Sequence, residues 1–267
     1  KLGDYVVTEA GFGADLGAEK FLNIKTRAGG IEPSAVVIVA TVRALKMHGG
    51  LGKQQLQEEN VEALTKGIAN LQKHIETVKQ FKLPFVVAIN RFVTDSEKEL
   101  AVLKEWCESY GAKVAIANVW EEGGRGGEEL ARAVTETIEQ EPHQFAPLYP
   151  LNVSFEEKIT AIVQKVYGGK GVEFSATAKK QLKEIKANGW EHLPVCMAKT
   201  QYSLSDDPSK LGRPEDFTIN VRELRPRIGA GFIIALTGDI LTMPGLPKQP
   251  AALNIDITND GQISGLF

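Results

Sequence analysis

Three groups of residues in this chain combine side chains that can bind or do chemistry. Thr41, Arg43, Lys46 and His48, followed by Gly49 and Gly50, put a hydroxyl, two cations and an imidazole into one short stretch. That composition suits an anion, and Arg43 and Lys46 are the candidate catalytic pair because a cation stabilises charge developing on a transferred group. His48 is a candidate general base. Asn90, Arg91 and Phe92 form a second group with Trp120, Gly123 and Gly124. Two aromatic rings can hold a flat ligand between them, with polar neighbours supplying orientation. The third joins Gly11, Phe12 and Gly13 to Lys199, Gln201, Arg213 and Asp216. Here Phe12 can stack on a purine while Arg213 and Asp216 meet its edge or a sugar. Each group also has a plainer reading. The cations of the first pair with carboxylates to hold a loop, the rings of the second are hinge packing, and the charges of the third are solvated. Glu9 and Asp15 stay open as cation contacts.

The elements that must position these groups can be read from periodicity. Val36 to Val39 are consecutive β-branched residues, which suits a strand covered on both faces of a parallel sheet. Arg43 and its neighbours follow the carboxyl end of that strand, where open α/β sheets bind ligands. Pro84–Ile89 and Lys113–Ala117 repeat the pattern, with Phe92 and Trp120 at their exits. The spacing of Val61, Leu64, Ile68, Leu71, Ile75 and Val78 predicts a helix capped by Asn60. Gly67 has no assigned purpose in it, and His74, off the apolar stripe, is expected in solvent. A helix is predicted from about Ser96, capped by Asp95 or Thr94, burying Leu100, Leu103, Trp106, Cys107 and Tyr110 and exposing Glu97, Lys98 and Glu99. The four glycines around Arg125 predict a mobile loop before a helix from Glu128 to Gln140, which buries Leu130, Ala131, Val134 and Ile138.

Strands are further expected at Tyr5–Thr8, Leu193–Ala198, Phe217–Val221 and Gly231–Leu236, and helices at Phe155–Tyr167 and Ala176–Asn188. A hairpin is expected around Asn259-Asp260-Gly261, with Met243–Pro250 as a rigid crossing that docks it. The fold class is therefore α/β, with parallel or mixed sheets flanked by helices.

A net charge of -3 with dispersed basic residues argues against a nucleic-acid surface. Cys107 and Cys196 are too few and too far apart for a disulfide framework or a cysteine-rich metal site, and no metal ligands are assigned. Neither a membrane-length apolar run nor a signal peptide is present, so a cytoplasmic location is expected.

The run Val39-Ala40-Thr41-Val42-Arg43-Ala44-Leu45-Lys46-Met47-His48-Gly49-Gly50 resembles a signature of formate-tetrahydrofolate ligases. The resemblance continues through Glu9–Phe21, Asn90-Arg91-Phe92, Lys199–Ser203 and Met243–Pro247, and so spans the chain. It implies an enzyme that joins formate to tetrahydrofolate with ATP through formyl phosphate, giving 10-formyltetrahydrofolate, ADP and phosphate. It also implies Mg2+, a monovalent cation (K+ or NH4+) and a homotetramer, a pterin held between Phe92 and Trp120, and ATP near Gly11–Gly13 and the loop after Lys199. Family members carry a P-loop-NTPase-like nucleotide domain. No G-x-x-x-x-G-K-[ST] occurs here, and the sequence starts without Met at the threshold of a predicted strand. The chain is therefore expected to be the C-terminal portion of the enzyme, inactive without the N-terminal half. The expected division is residues 1-80 for the end of the nucleotide domain, 81-205 for folate binding and 206-267 for a β-rich part. The other reading is a non-catalytic folate-binding or assembly subunit whose partner chain supplies the phosphate loop.

Overall fold

The β-branched runs form the strands predicted for them. In a computed structural model that describes residues 3–238 and 248–265, β1 (Val36–Ala40), β2 (Phe85–Asn90) and β3 (Lys113–Ala117) make a parallel sheet in the order β1-β2-β3. The register sets Val39 beside Ala88 and Ile89 beside Ile116. All three carboxyl ends therefore point the same way. β2, the central strand, is buried along Val86–Ile89, whereas β1 lies at the margin with Val37 and Val39 exposed. Among the described residues no strand pairs beyond β1.

Before β1 the chain winds through two π-helical turns, Gly13–Ala18 and Phe21–Lys25, into the short α1 (Thr26–Gly29). Tyr5–Thr8 forms no strand and is exposed. Four residues with no neighbouring strand to take up their backbone groups cannot make a ladder.

After β1, α2 (Val42–His48) crosses α3 (Val61–Gln80) at very short range. A Cβ on Gly67 would lie 1.8 Å from the Leu45 carbonyl oxygen, and one on Gly49 would lie 1.8 Å from that of Ala63. Gly67 thus has a purpose, because only a residue without a side chain lets the two backbones meet. Asn60 caps α3 as predicted, accepting from the Ala63 amide at 2.9 Å. His74 departs from expectation. It is half-buried with Nδ1 lacking a partner, because α3 packs against α2 as well as against the Gly13–Ala18 turn and a π-helical turn at Val163–Tyr167.

α4 (Glu97–Ser109) is capped by Ser96 rather than by Asp95 or Thr94. Ser96 and Glu99 form a reciprocal capping box, which draws the Glu99 carboxylate back over the helix start and out of solvent. The glycine-rich stretch after β3 is wound rather than loose. It forms α5 (Val119–Glu122) and a 3-10 turn at Gly123–Gly127 that leads into α6 (Glu128–Gln140). α6 covers β2 and β3 less fully than its pattern suggested: Ala131 is exposed, Leu130, Val134 and Ile138 are half-buried, and Thr137 is the residue that is buried.

A second, mixed sheet follows α7 (Phe155–Ile162), in the order β4-β6-β7-β5. β4 (Gly171–Phe174), which periodicity did not reveal, pairs parallel with β6 (Thr218–Arg227). After α8 (Ala176–Ala187), β5 (Val195–Ala198) pairs parallel with β7 (Phe232–Thr237), and β6 and β7 are antiparallel with an irregularity between Val221 and Glu223. One apolar core runs through both sheets, joining Val87 and Ile89 to Phe81, Val166, Ile219 and Ile233. Sheet pairing crosses both expected boundaries, β1 with β2 over 80/81 and β5 with β7 over 205/206. The tail hairpin forms, with β8 (Asp256–Ile257) antiparallel to β9 (Ile263–Ser264). Met243–Pro247 lies outside the described residues.

Candidate functional site

The carboxyl edge of the first sheet gathers the residues that follow each strand. Thr41 caps α2 by accepting from the Ala44 amide at 3.2 Å, and this fixes where Arg43 leaves β1. The Arg43 guanidinium then sits over the Phe92 ring, 5.4 Å from its centroid. Phe92 is held from below, because its amide donates to Asp95 Oδ2 at 2.8 Å while the Asp95 amide returns to the Phe92 carbonyl at 3.0 Å. The Arg91 amide donates to the Ala117 carbonyl at 3.0 Å, extending the β2–β3 pairing past Asn90. Phe92 and Trp120 therefore leave neighbouring strands at one edge. Phe92 is half-buried, and Trp120 keeps 56% of its surface exposed. The Arg91 side chain pairs with Glu97 at 2.6 Å.

The turn carrying Trp120 is tightly closed. The Asn118 amide donates to the Gly126 carbonyl at 3.0 Å, and the Asn118 side chain donates to Glu121 and Glu122 at 2.9 Å each. Gly126 passes so near that a Cβ there would be 2.3 Å from the Asn118 oxygen. Gly123 has φ 61°, and Gly124 faces open space.

Lys46 does not belong to this edge. Its ammonium is fully buried, 2.9 Å from Glu99 Oε1 and 2.7 Å from the Glu58 carbonyl. Glu99 in turn accepts from the amides of Asn60 at 2.8 Å and Ser96 at 3.2 Å. Burial works to raise the Glu99 carboxyl, but these donors together hold it below the usual carboxylate range. This pair ties α2, α3 and α4 together beneath Arg43 and Phe92, so of the candidate catalytic pair only Arg43 lies at the open edge. Glu99, expected in solvent, is the residue that sequence reasoning missed. The Ser96-x-x-Glu99 spacing was its visible signal.

The nucleotide candidates are not brought together as a set of open groups. Gly11–Gly13 forms a close turn in which the Gly17 amide donates to the Phe12 carbonyl at 3.3 Å, leaving Phe12 81% exposed and available for stacking. Lys199 is fully buried. Its ammonium meets Asp15 at 2.7 Å, donates to the Thr200 and Ser203 carbonyls and lies 5.1 Å from the centroid of the Tyr167 ring. Burial lowers this ammonium's pKa and Asp15 pulls it back up. Lys199 thus positions the Phe12 turn against the loop after β5 and is neither a solvated charge nor open to phosphate. Arg213 forms a bidentate pair with Glu76 at 2.8 and 2.9 Å, Asp216 pairs with Lys170 at 2.8 Å, and Gln201 is exposed. Arg213 and Asp216 line a separate cleft with Lys73, Tyr167 and Gly169. Among the described residues no three His, Cys, Asp or Glu side chains gather as metal ligands. Asp15 is taken by Lys199, and Glu9 is exposed.

The residues that follow β1, β2 and β3 thus share the carboxyl edge of a parallel sheet, the edge at which open α/β sheets bind ligands. The family model described as formate–tetrahydrofolate ligase matches residues 1–267. The chain belongs to that family, whose name gives its substrates and its bond-forming chemistry. No described helix is long and apolar enough to cross a membrane.

Proposed function

We propose that the edge carrying Arg43, Phe92 and Trp120 binds tetrahydrofolate within an ATP-dependent ligase. The observation that carries this reading is the Arg43 guanidinium resting on Phe92 at the carboxyl end of the sheet, one strand from Trp120. A pterin is a flat π system with polar edges, and it stacks well between two rings. Asn90, Arg91, Gly123 and Gly124 belong to the same strand exits.

In the reaction, a formate oxygen attacks the γ-phosphorus of ATP and ADP leaves. N10 of the folate then attacks the formyl carbon, phosphate departs, and N10 loses its proton. Arg43, with its partly open cation, is placed to stabilise charge on the acyl phosphate. Phe12 and Gln201 border the nucleotide. The cradle for the phosphates comes from residues outside this chain, so residues 1-80 and the 199–216 loop supply only a wall of that site. We place the assembled enzyme in the cytoplasm as a homotetramer.

The test is a calorimetric titration of the chain with tetrahydrofolate, repeated with Trp120→Ala and Phe92→Ala. Loss of the stacking contribution weakens affinity by roughly tenfold in each variant; unchanged affinity in both removes the site. Formyl transfer from formate and ATP by this chain alone would refute the need for a second phosphate-binding part. Folate binding without any gain of activity when that part is supplied would favour the non-catalytic subunit.

A further inference from the structure

We propose that His48 is a positioning residue: as a neutral imidazole it clamps, together with Asn70, the Gly212 peptide, and so sets the polar loop 199–216 against α2 and α3. The Gly212 amide donates to His48 Nδ1 at 3.1 Å, and the Gly212 carbonyl accepts from Asn70 Nδ2 at 2.8 Å. Both polar groups of one buried loop residue are therefore satisfied by side chains of two different helices. Gly212 has φ 70°, and a Cβ there would lie 3.1 Å from the His48 carbonyl oxygen, so the fit needs glycine. Arg213 adds its bidentate pair with Glu76 immediately afterwards.

This arrangement fixes the tautomer. Nδ1 must be the acceptor, which places the proton on Nε2 and removes Nδ1 from general-base work. Protonation would put an N–H on Nδ1 facing the Gly212 N–H, and the buried amide would lose its acceptor. The charged groups around the ring are His74 on α3 and Asp15 on the Gly13–Ala18 turn, with Lys199 neutralising Asp15. Lys73 on α3 acts on His74 rather than on His48 itself, and Glu76 and Arg213 act in turn on Lys73. Burial, then His74, lower the imidazole pKa from 6.5, while Asp15 works to raise it. The clamp is thus closed at neutral pH, and it weakens as pH falls through 6.5 toward the lowered value.

The consequence for catalysis rests on the reading of this loop as the nucleotide wall, and the experiment separates the two. Amide hydrogen exchange of the Leu211–Phe217 segment is followed from pH 5 to 8 in the wild type and in His48→Asn and His48→Ala. Asparagine offers an oxygen near the place of Nδ1 and cannot be protonated. The expected result is protection in the wild type that falls roughly tenfold in acid, protection independent of pH in His48→Asn, and protection lost throughout in His48→Ala. Equal pH dependence in the wild type and His48→Asn overturns the proposal, and that comparison survives if His48→Ala does not fold. ATP titrations of the same proteins, mixed with the phosphate-binding part, then read the consequence. Exchange as expected with no effect on ATP affinity leaves the clamp in place and removes the nucleotide role of the loop.

Discussion

Lys46 Nζ and Glu99 Oε1 lie 2.9 Å apart, and neither side chain has any exposed surface. Their helices follow different strands of one sheet, so this pair fixes the two connections that carry Arg43 and Phe92. Removing one partner of a buried pair leaves an uncompensated charge. Lys46→Met is expected to cost about 3–5 kcal/mol in urea denaturation. Glu99→Leu should cost more than Lys46→Met, since it also strands the amides of Asn60 and Ser96. A Lys46→Met protein of wild-type stability that had lost only activity would return Lys46 to the catalytic pair.

Arg43 should behave in the opposite way. Its guanidinium lies on a half-buried ring at the open edge, and the contact is worth about 0.5–1 kcal/mol at such a site. Arg43→Met is expected to lower tetrahydrofolate affinity by roughly two- to fivefold with little change in melting temperature, and Arg43→Lys should restore part of it. Calorimetry and a thermal melt on the same samples decide. A large fall in melting temperature would make Arg43 a structural residue.

The α2–α3 crossing gives a contrast between two glycines. Alanine at position 67 would gain about 1 kcal/mol of helix propensity, but its Cβ would sit 1.8 Å from a backbone oxygen. The clash wins, and Gly67→Ala is expected to lose at least about 3 kcal/mol or to fail to fold. Gly124→Ala meets nothing within 4 Å and should stay within about 1 kcal/mol of the wild type. Paired thermal melts test the assignment.

Glu19 predicts a pH effect. It is fully buried, accepts from Asn23 at 2.7 Å through one oxygen and has no partner for the other. Burial raises its pKa from 4.5 to about 7, against the pull of Lys20 and Asn23. The folded state therefore holds its proton longer than the unfolded chain, and stability falls as pH rises from 4.5 to about 7 and levels above. A gap of that size is worth roughly 3 kcal/mol. Glu19→Gln should remove the decline, measured as the urea midpoint at successive pH values; a decline of equal size in the variant would assign it elsewhere.

The parts of this fold legible in the sequence are those set by local pattern. Val36–Val39, Pro84–Ile89 and Lys113–Ala117 are continuous apolar runs, and they became a parallel sheet, although β1, expected to be covered on both faces, lies at its margin with Val37 and Val39 exposed. Asn60 announced its helix because capping acts over three residues. What escaped notice depends on partners distant in the chain. Glu99 looked like a first-turn surface acid, since nothing nearby shows that Lys46 reaches it. Lys199 looked like a loop charge because Asp15 is far upstream. Gly67 had no purpose until the Leu45 carbonyl was in place, and β4 is too short to show a period. The placement of Arg43, Phe92 and Trp120 at strand exits was legible because each follows an apolar run directly.

The margin of the first sheet has a practical consequence. β1 combines a row of backbone groups without a further strand among the described residues with the bare valines Val37 and Val39. A flat apolar margin of this kind is a template for strand-to-strand association between molecules. When the chain is purified by itself, its aggregation should rise steeply with concentration, and a Val39→Lys change should suppress it without touching the edge that carries Arg43, Phe92 and Trp120.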